Sequence, residues 1–269
     1  MAITSKMARV IVKLGGGLIT DKSEYKQVRL DRVDAVSAVI RELRNCGHSV
    51  IIVHGAGSFG HLEARKWRLS EGFDSEISEE QELAVTRVRS DMDDLNEYVI
   101  ESLRSYGVES EVLPPRYWAT GIGVDFQGDL GSFSRDPTEP VPITFGDVVA
   151  THDHTRFGIL SGDHIMVRLG NEIPDVSACI FLLGDADGLM DRPPGESGAT
   201  LLTTWSVDED FSDSHNPNVD VTGGIMLKAQ CASLIARNVE HVWLLNGTIP
   251  ERIFDIVSSG RAIGTRVLR

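Results

Sequence analysis

Cysteine, lysine and long apolar runs are the scarce features of this 269-residue chain. Its three cysteines, Cys46, Cys179 and Cys231, are odd in number, far apart and never in a C-x-x-C pair, which excludes a disulfide framework and a cysteine-based zinc site. All three read as buried small hydrophobes. No apolar run approaches the roughly 20 residues of a membrane-spanning helix, and the opening MAITSKMARVIVKLGGG lacks the layout of a signal peptide, so no membrane association and a cytoplasmic location are expected. Basic side chains are outnumbered, 26 against 40 acidic, for a formal net charge of −14, which excludes a broad nucleic-acid face. An anion bound here must be held locally. Only six of the 26 basic residues are lysines, so each lysine position marks a departure from the usual cation. His152 and His154 lack a third ligand at metal-binding spacing and read as solvated loop residues.

What is present is ordinary globular material, 41% hydrophobic and 25% charged, enough to fill a real core. Short β-rich runs alternate with helical stretches, the pattern of a mostly parallel sheet covered on both faces. Strands are expected near Ala8–Leu14, Ser49–His54, Ile143–Val149, Ala178–Leu183 and His241–Asn246. A helix from Leu30 to Leu43 carries Val33, Val36, Ile40 and Leu43 on one stripe, with Gly47 just beyond its end. A longer one runs from Ser78, with Gln81 as partner in a capping box, to Tyr106, its stripe being Ala84, Val88, Met92, Leu95, Val99 and Leu103. A third covers about Met226 to Arg237. The stretches 121–142 and 191–199 read as loops or irregular hairpin. No internal repeat or linker interrupts the chain, so a single α/β domain of two lobes is expected, with the first lobe over about 1–170 and the second over about 171–269.

Five constellations carry chemistry. In the first, the strand ending Val12-Lys13-Leu14 runs into Gly15, Gly16 and Gly17, with Lys22 a few residues on; glycines let backbone N–H groups approach an anion, and the lysines add charge. This is neither a G-x-x-x-x-G-K-[ST] phosphate loop nor G-x-G-x-x-G, and a tight turn with surface lysines is an equal alternative. The second, His54-Gly55-Ala56-Gly57-Ser58-Phe59-Gly60-His61, also follows an apolar strand, so both turns are expected at one carboxyl edge, where α/β sheets bind ligands. His61, four residues past a glycine, is placed to donate to a phosphate, although a lone histidine is commonly a surface or core residue. The third is Ser161-Gly162-Asp163-His164. The fourth, Gly184-Asp185-Ala186-Asp187-Gly188, pairs two aspartates able to orient lysines or hold the water of Mg2+, with an ordinary turn favoured for Asp187. The fifth, Gly223-Gly224 followed by Lys228, sets a lysine on the first turn of a helix, a good nucleotide-phosphate site. Half of the six lysines, Lys13, Lys22 and Lys228, lie in these turns.

The stretches KLGGGLITDKS, VHGAGSFGH, FGDVVA, SGDHIM, FLLGDADGL, DVTGGIMLK and NGTIPERIFDIVSSGRAIGTRV, in this order, resemble the amino acid kinase superfamily and, within it, the isopentenyl phosphate kinases. The resemblance implies a three-layer αβα sandwich with a mostly parallel central sheet, an acceptor lobe followed by a nucleotide lobe, use of ATP with Mg2+, a homodimer, and isoprene synthesis through the mevalonate route. It places Lys13, Gly15, Gly16, Gly17, Gly57, Asp185, Gly224 and Lys228 at ATP, and Ala56, His61 and Gly162 at the acceptor phosphate. Lys22 is implied to stabilise the transferring group and Asp163 to organise the lysines. Two departures stand out: Gly17 where the family has serine, and Ala56 in place of glycine, which a methyl allows only at negative φ. The proline-containing stretch Gly131–Pro142 stands where a helix is usual and is expected to bound the acceptor pocket. Alternatives are a fosfomycin kinase-like enzyme of another small phosphate or phosphonate, and a non-catalytic nucleotide-binding protein of the same fold.

Overall fold

The computed structural model describes residues 8–21, 23–184, 186–206 and 224–269. Its strands are β1 (Arg9–Leu14), β2 (Ser49–His54), β3 (Ser110–Val112), β4 (Ala119–Thr120), β5 (Gln127–Gly128), β6 (Val141–Phe145), β7 (Asp147–Ala150), β8 (Phe157–Leu160), β9 (Val176–Leu183), β10 (Thr204–Ser206), β11 (His241–Asn246) and β12 (Thr265–Leu268). Eight of them form one sheet in the order β10-β12-β11-β9-β1-β2-β6-β3, parallel throughout except where β12 meets β11. A second, smaller sheet has the order β5-β4-β7-β8.

The helices are α1 (Gly16–Ile19), α2 (Leu30–Asn45), α3 (Gly57–Lys66), α4 (Ser78–Ser105), α5 (Pro115–Trp118), α6 (Gly162–Glu172), α7 (Gly224–Ile235) and α8 (Arg252–Ser259). The central strands are apolar on both faces, as burial in a parallel sheet requires, and alternate residues divide the core in two. Val10, Val12 and Leu14 of β1 pack with the stripes of α2 and α4 and with Ile253 and Ile256 of α8. Ile11 faces the other way, with Ile165, Met166 and Leu169 of α6 and Ala229, Ala232 and Ile235 of α7. These are the three layers of an αβα sandwich. By the two-residue strand period, Lys13 shares the α6 face with Ile11.

Three expectations change. The strand expected over Ile143–Val149 is two strands in different sheets, β6 and β7, separated at Gly146, whose N–H donates to His54 O (3.1 Å) at the end of β2. The capping box at Ser78 does not form: Ile77 is the N-cap residue, and the Gln81 side chain instead accepts from Asp74 N–H (2.8 Å) and donates to the carbonyls of Trp67 (3.0 Å) and Gly72 (2.9 Å). Gln81 is fully buried, and these three bonds satisfy an amide with no access to water. Cys46 is exposed where α2 ends, past the last buried residue of its stripe; Cys179 and Cys231 are buried as expected. The irregular hairpin appears as the β4–β5 pair, and 191–199 holds no strand or helix. No described helix is long and apolar enough to cross a membrane.

Candidate active site

A row of glycines continues the hydrogen-bond ladder past the carboxyl ends of the central strands. Gly15 N–H donates to Leu182 O (3.0 Å), Gly55 to Leu14 O (3.0 Å), Gly146 to His54 O (3.1 Å) and Gly247 to Leu183 O (2.8 Å). This edge therefore lies backbone against backbone. A methyl on Gly16 would fall 2.3 Å from Gly57 N, and one on Gly55 2.8 Å from Gly16 N, so side chains are excluded where the two turns touch. The contact is closed by Thr20, a buried residue that the sequence did not single out. Its hydroxyl accepts from Ser58 N–H (2.9 Å) in the first turn of α3 and donates to Gly16 O (2.8 Å), joining the Gly15–Gly17 turn to the second. A first-turn N–H has no partner within its own helix, so a buried hydroxyl at this point answers a real deficit.

The second turn explains its own composition. Ala56 has φ −75°, the negative value its methyl needs, whereas Gly57 has φ +50° and a methyl there would fall 1.9 Å from Thr20 Oγ1. His61 lies one turn further along α3, with an exposed side chain. At the start of this turn His54 is buried against Phe145, its ring nitrogens 3.3 Å from Gly55 O and Asn96 Oδ1. Burial pushes its pKa down to about 4, so it is neutral at pH 7.

On the α6 face, three residues that are distant in sequence meet. Lys13, only 4% exposed, pairs with Asp163 Oδ1 in the first turn of α6, and Lys228 Nζ lies 3.5 Å from Asp163 Oδ2. Ser161 caps α6 through Asp163 N–H (3.2 Å), which fixes the carboxylate over the end of β1. A methyl on Gly162 would approach Val53, His54 O and Lys13 Cε at 3.2–3.4 Å, so the glycine lets α6 sit close above the lysine. Lys228 also donates to Gly224 O (3.0 Å) at the beginning of α7. Burial lowers the Lys13 pKa to about 8, against the attraction of Asp163 and with the repulsion of Lys228. Burial alone would raise Asp163, but the two ammonium groups hold it below the usual carboxylate range. Cys231, facing the same charges from α7, has its thiol pushed up to about 12 by burial. The arrangement is a cluster of two cations on one largely buried anion, with a net positive charge.

The structure thus brings together Lys13, Gly162, Asp163, Gly224 and Lys228 in one group, and Gly15, Gly16, Ala56 and Gly57 in an adjoining one, with Gly17 in the half-buried first turn and His61 on the helix that leaves the second. Lys22 and Asp185 lie outside the described residues. Asp187 does more than turn the chain: it accepts from Arg252 Nη1 (2.6 Å) and Asn246 Nδ2 (3.3 Å), fastening the segment after β9 to α8 and β11. His152 and His154 are exposed loop residues.

The stretch expected to bound the acceptor pocket is elsewhere. Arg9 donates to Ser134 Oγ (3.2 Å) and Arg135 O (3.0 Å), Ser49 Oγ donates to Arg135 O (3.0 Å), and Arg44 donates to Glu139 O (2.7 Å). Arg9 and Ser49 begin β1 and β2, so residues 134–139 are fixed at the amino edge of the sheet, opposite the glycine turns. The apolar stripe of α4 is entirely buried, and the helix is held to β7 by Arg89, which donates to Val148 O (2.8 and 3.0 Å), and by Arg116, which pairs with Asp93 and with the buried Asp147.

These features define a three-layer αβα fold with a lysine–aspartate–lysine cluster beside glycine turns, and the chain belongs to the amino acid kinase family, whose model matches residues 8–246. Among named relatives, isopentenyl phosphate kinase of Thermoplasma acidophilum is 32% identical over 251 residues, covering 92% of this chain and 95% of that protein. That of Methanothermobacter thermautotrophicus is 31% identical, covering 96% and 98%. The solved product complex of the T. acidophilum enzyme superposes with a TM-score of 0.77 over 97% of this chain and all of its own, at 28% identity.

Proposed function

We propose that this protein transfers the γ-phosphoryl group of ATP to the phosphate of isopentenyl phosphate, giving isopentenyl diphosphate. The observation that carries this reading is the meeting of Lys13 and Lys228 on Asp163 beside two interlocked glycine turns, in a chain similar over nearly its whole length to isopentenyl phosphate kinases. Phosphoryl transfer asks little covalent chemistry of protein groups; it asks that two mutually repelling anions be aligned and their charge neutralised.

In this reading Lys13, Gly15, Gly16, Gly17, Gly57, Asp185, Gly224 and Lys228 hold ATP, while Ala56, His61 and Gly162 receive the acceptor phosphate. Asp163 keeps buried Lys13 and half-buried Lys228 at a fixed separation, and Lys22 neutralises the group in flight. Among the described residues no three His, Cys, Asp or Glu side chains gather as a metal cage. Mg2+ would enter with the nucleotide and help neutralise its phosphates, with Asp185 as a carboxylate that would hold its water. The family resemblance further supports an acceptor lobe over about 1–170, a nucleotide lobe over about 171–269, a homodimer, a cytoplasmic location and a place in isoprene synthesis by the mevalonate route.

The test is ATP consumption with isopentenyl phosphate, dimethylallyl phosphate, geranyl phosphate and fosfomycin, each product identified by mass. The highest kcat/KM is expected for isopentenyl phosphate. A higher value for fosfomycin would overturn the isoprenoid assignment and leave the kinase reading in place.

A further inference from the structure

The segment that follows the first glycine turn closes on itself. Thr20 and Val28 form an antiparallel bridge, Asp21 N–H donates to Gln27 O (2.8 Å), Arg29 N–H donates to Ile19 O (2.8 Å), and the Arg29 guanidinium meets Asp21 at 3.2 Å. Its tip is fastened to α4. Lys26 Nζ donates to Asp91 Oδ1 (2.8 Å) and Asp94 Oδ2 (2.5 Å), and Tyr25 OH donates to Asp91 Oδ2 (2.7 Å). The same ammonium lies 5.7 Å from the ring centroid of Phe59 on α3.

Two features of this arrangement are costly. Lys26 has φ +55°, a left-handed conformation that side chains disfavour. Asp91 is 7% exposed on the inner side of α4 next to Met92, where a carboxylate is tolerated only with partners. Neither cost serves the hydrophobic core, because Ser23, Glu24, Tyr25 and Gln27 are exposed. What the contacts do is fix one short loop against two helices, α3 with Ala56, Gly57 and His61, and α4 behind it.

We propose that Tyr25, Lys26, Asp91 and Asp94 form a positioning clamp that fastens the loop between Asp21 and Arg29, in whose sequence Lys22 falls, to α4 for phosphoryl transfer. The inference rests on the kinase reading and on the part that reading gives Lys22. The clamp's contacts run between the loop and α4. The clamp acts through the loop, so it changes how well the transferring group is met rather than how tightly ATP is held.

Steady-state kinetics of the full chain with ATP and isopentenyl phosphate test this, comparing Lys26→Met, Lys26→Arg and Tyr25→Phe, with Lys26→Met also made in a Lys22→Ala background. Lys26→Met is expected to lower kcat by about tenfold or more with KM for ATP within about twofold, since small misplacements near a reacting group are felt chiefly in the rate. Lys26→Arg, which keeps a cation able to span both carboxylates, recovers most of the rate. In the Lys22→Ala background, Lys26→Met has little further effect, as expected of residues acting as one unit. An unchanged kcat in Lys26→Met, a loss fully multiplicative with Lys22→Ala, or a rise in KM for ATP in step with the fall in kcat each overturns the clamp. Should Lys26→Met, which leaves Asp91 without its cation, fail to fold, Tyr25→Phe decides: it removes one hydrogen bond at an exposed side chain and is expected to lower kcat about threefold. No change in its kcat overturns the clamp. Absence of turnover in the unmodified protein overturns the kinase reading and the clamp together, whereas normal turnover insensitive to these substitutions overturns the clamp alone.

Discussion

Thr20 Oγ1 accepts a hydrogen bond from the backbone N–H of Ser58 at 2.9 Å, and this single contact locks the two glycine turns of the site together. Thr20→Val keeps the shape of the side chain and leaves that N–H without a partner, while Gly16 O keeps the bond from the backbone N–H of residue 20 (3.0 Å). A loss of about 1–3 kcal/mol in stability is expected, the usual consequence of a buried polar group left unpaired. Thr20→Ser keeps the oxygen and retains most of it. Denaturant unfolding of the two variants separates these outcomes; equal stability of Thr20→Val and the unmodified chain would remove the lock.

Neighbouring positions in the second turn respond oppositely to a methyl group. Gly57→Ala sets a Cβ at φ +50° and 1.9 Å from Thr20 Oγ1, so a loss of at least about 2 kcal/mol and of most activity is expected. Ala56→Gly removes a methyl from φ −75° and costs only about 0.5–1 kcal/mol. Thermal unfolding and kcat/KM measured on both variants check the asymmetry.

The buried Lys13 gives the free protein a pH dependence. Its pKa is lowered by burial to about 8, so its positive charge is lost as pH rises through that value, and kcat/KM for ATP falls there. Nucleotide phosphates favour the charged lysine, so kcat itself persists to higher pH. Stability moves the other way. The folded value lies below the ordinary 10.5, so between about 8 and 10.5 the unfolded chain binds this proton more readily, and the Lys13 contribution to stability rises with pH. Lys13→Arg, charged throughout, is expected to abolish the inflection near pH 8; its persistence in that variant would assign it to another group.

His61, exposed on α3, is given the acceptor phosphate as partner. His61→Ala is expected to raise KM for isopentenyl phosphate or lower kcat by an amount worth about 1.5–3 kcal/mol, the range of a hydrogen bond to a charged group, with little change in KM for ATP. His61→Asn, which keeps a donor, recovers part of the loss. Weakened ATP use with unchanged acceptor kinetics would take His61 out of the acceptor site.

The sequence by itself determined what depends on neighbours a few residues apart. The apolar runs of β2 and β11 and the stripes of α2 and α4 were legible because a strand or helix period is written locally. The glycine turns were legible because only glycine permits such close backbone approach, and the negative φ of Ala56 followed from its methyl. Tertiary structure alone decided which side chains meet. Asp163 lies 150 residues from Lys13 and 65 from Lys228, and their contact depends on β1 lying beside β2 and β9 with α6 and α7 on one face. The same dependence divided the apolar run after Pro142 between two sheets at Gly146, carried residues 134–139 to the far edge, and turned Gln81 from its expected cap to three bonds with Trp67, Gly72 and Asp74. Thr20, Lys26 and Asp91 carried no local signal, since a threonine, a lysine and an aspartate at those positions satisfy surface chemistry equally well. Periodicity and backbone freedom act within a few residues, whereas the partner of a polar side chain is set by strand order and by the packing of helices onto the sheet.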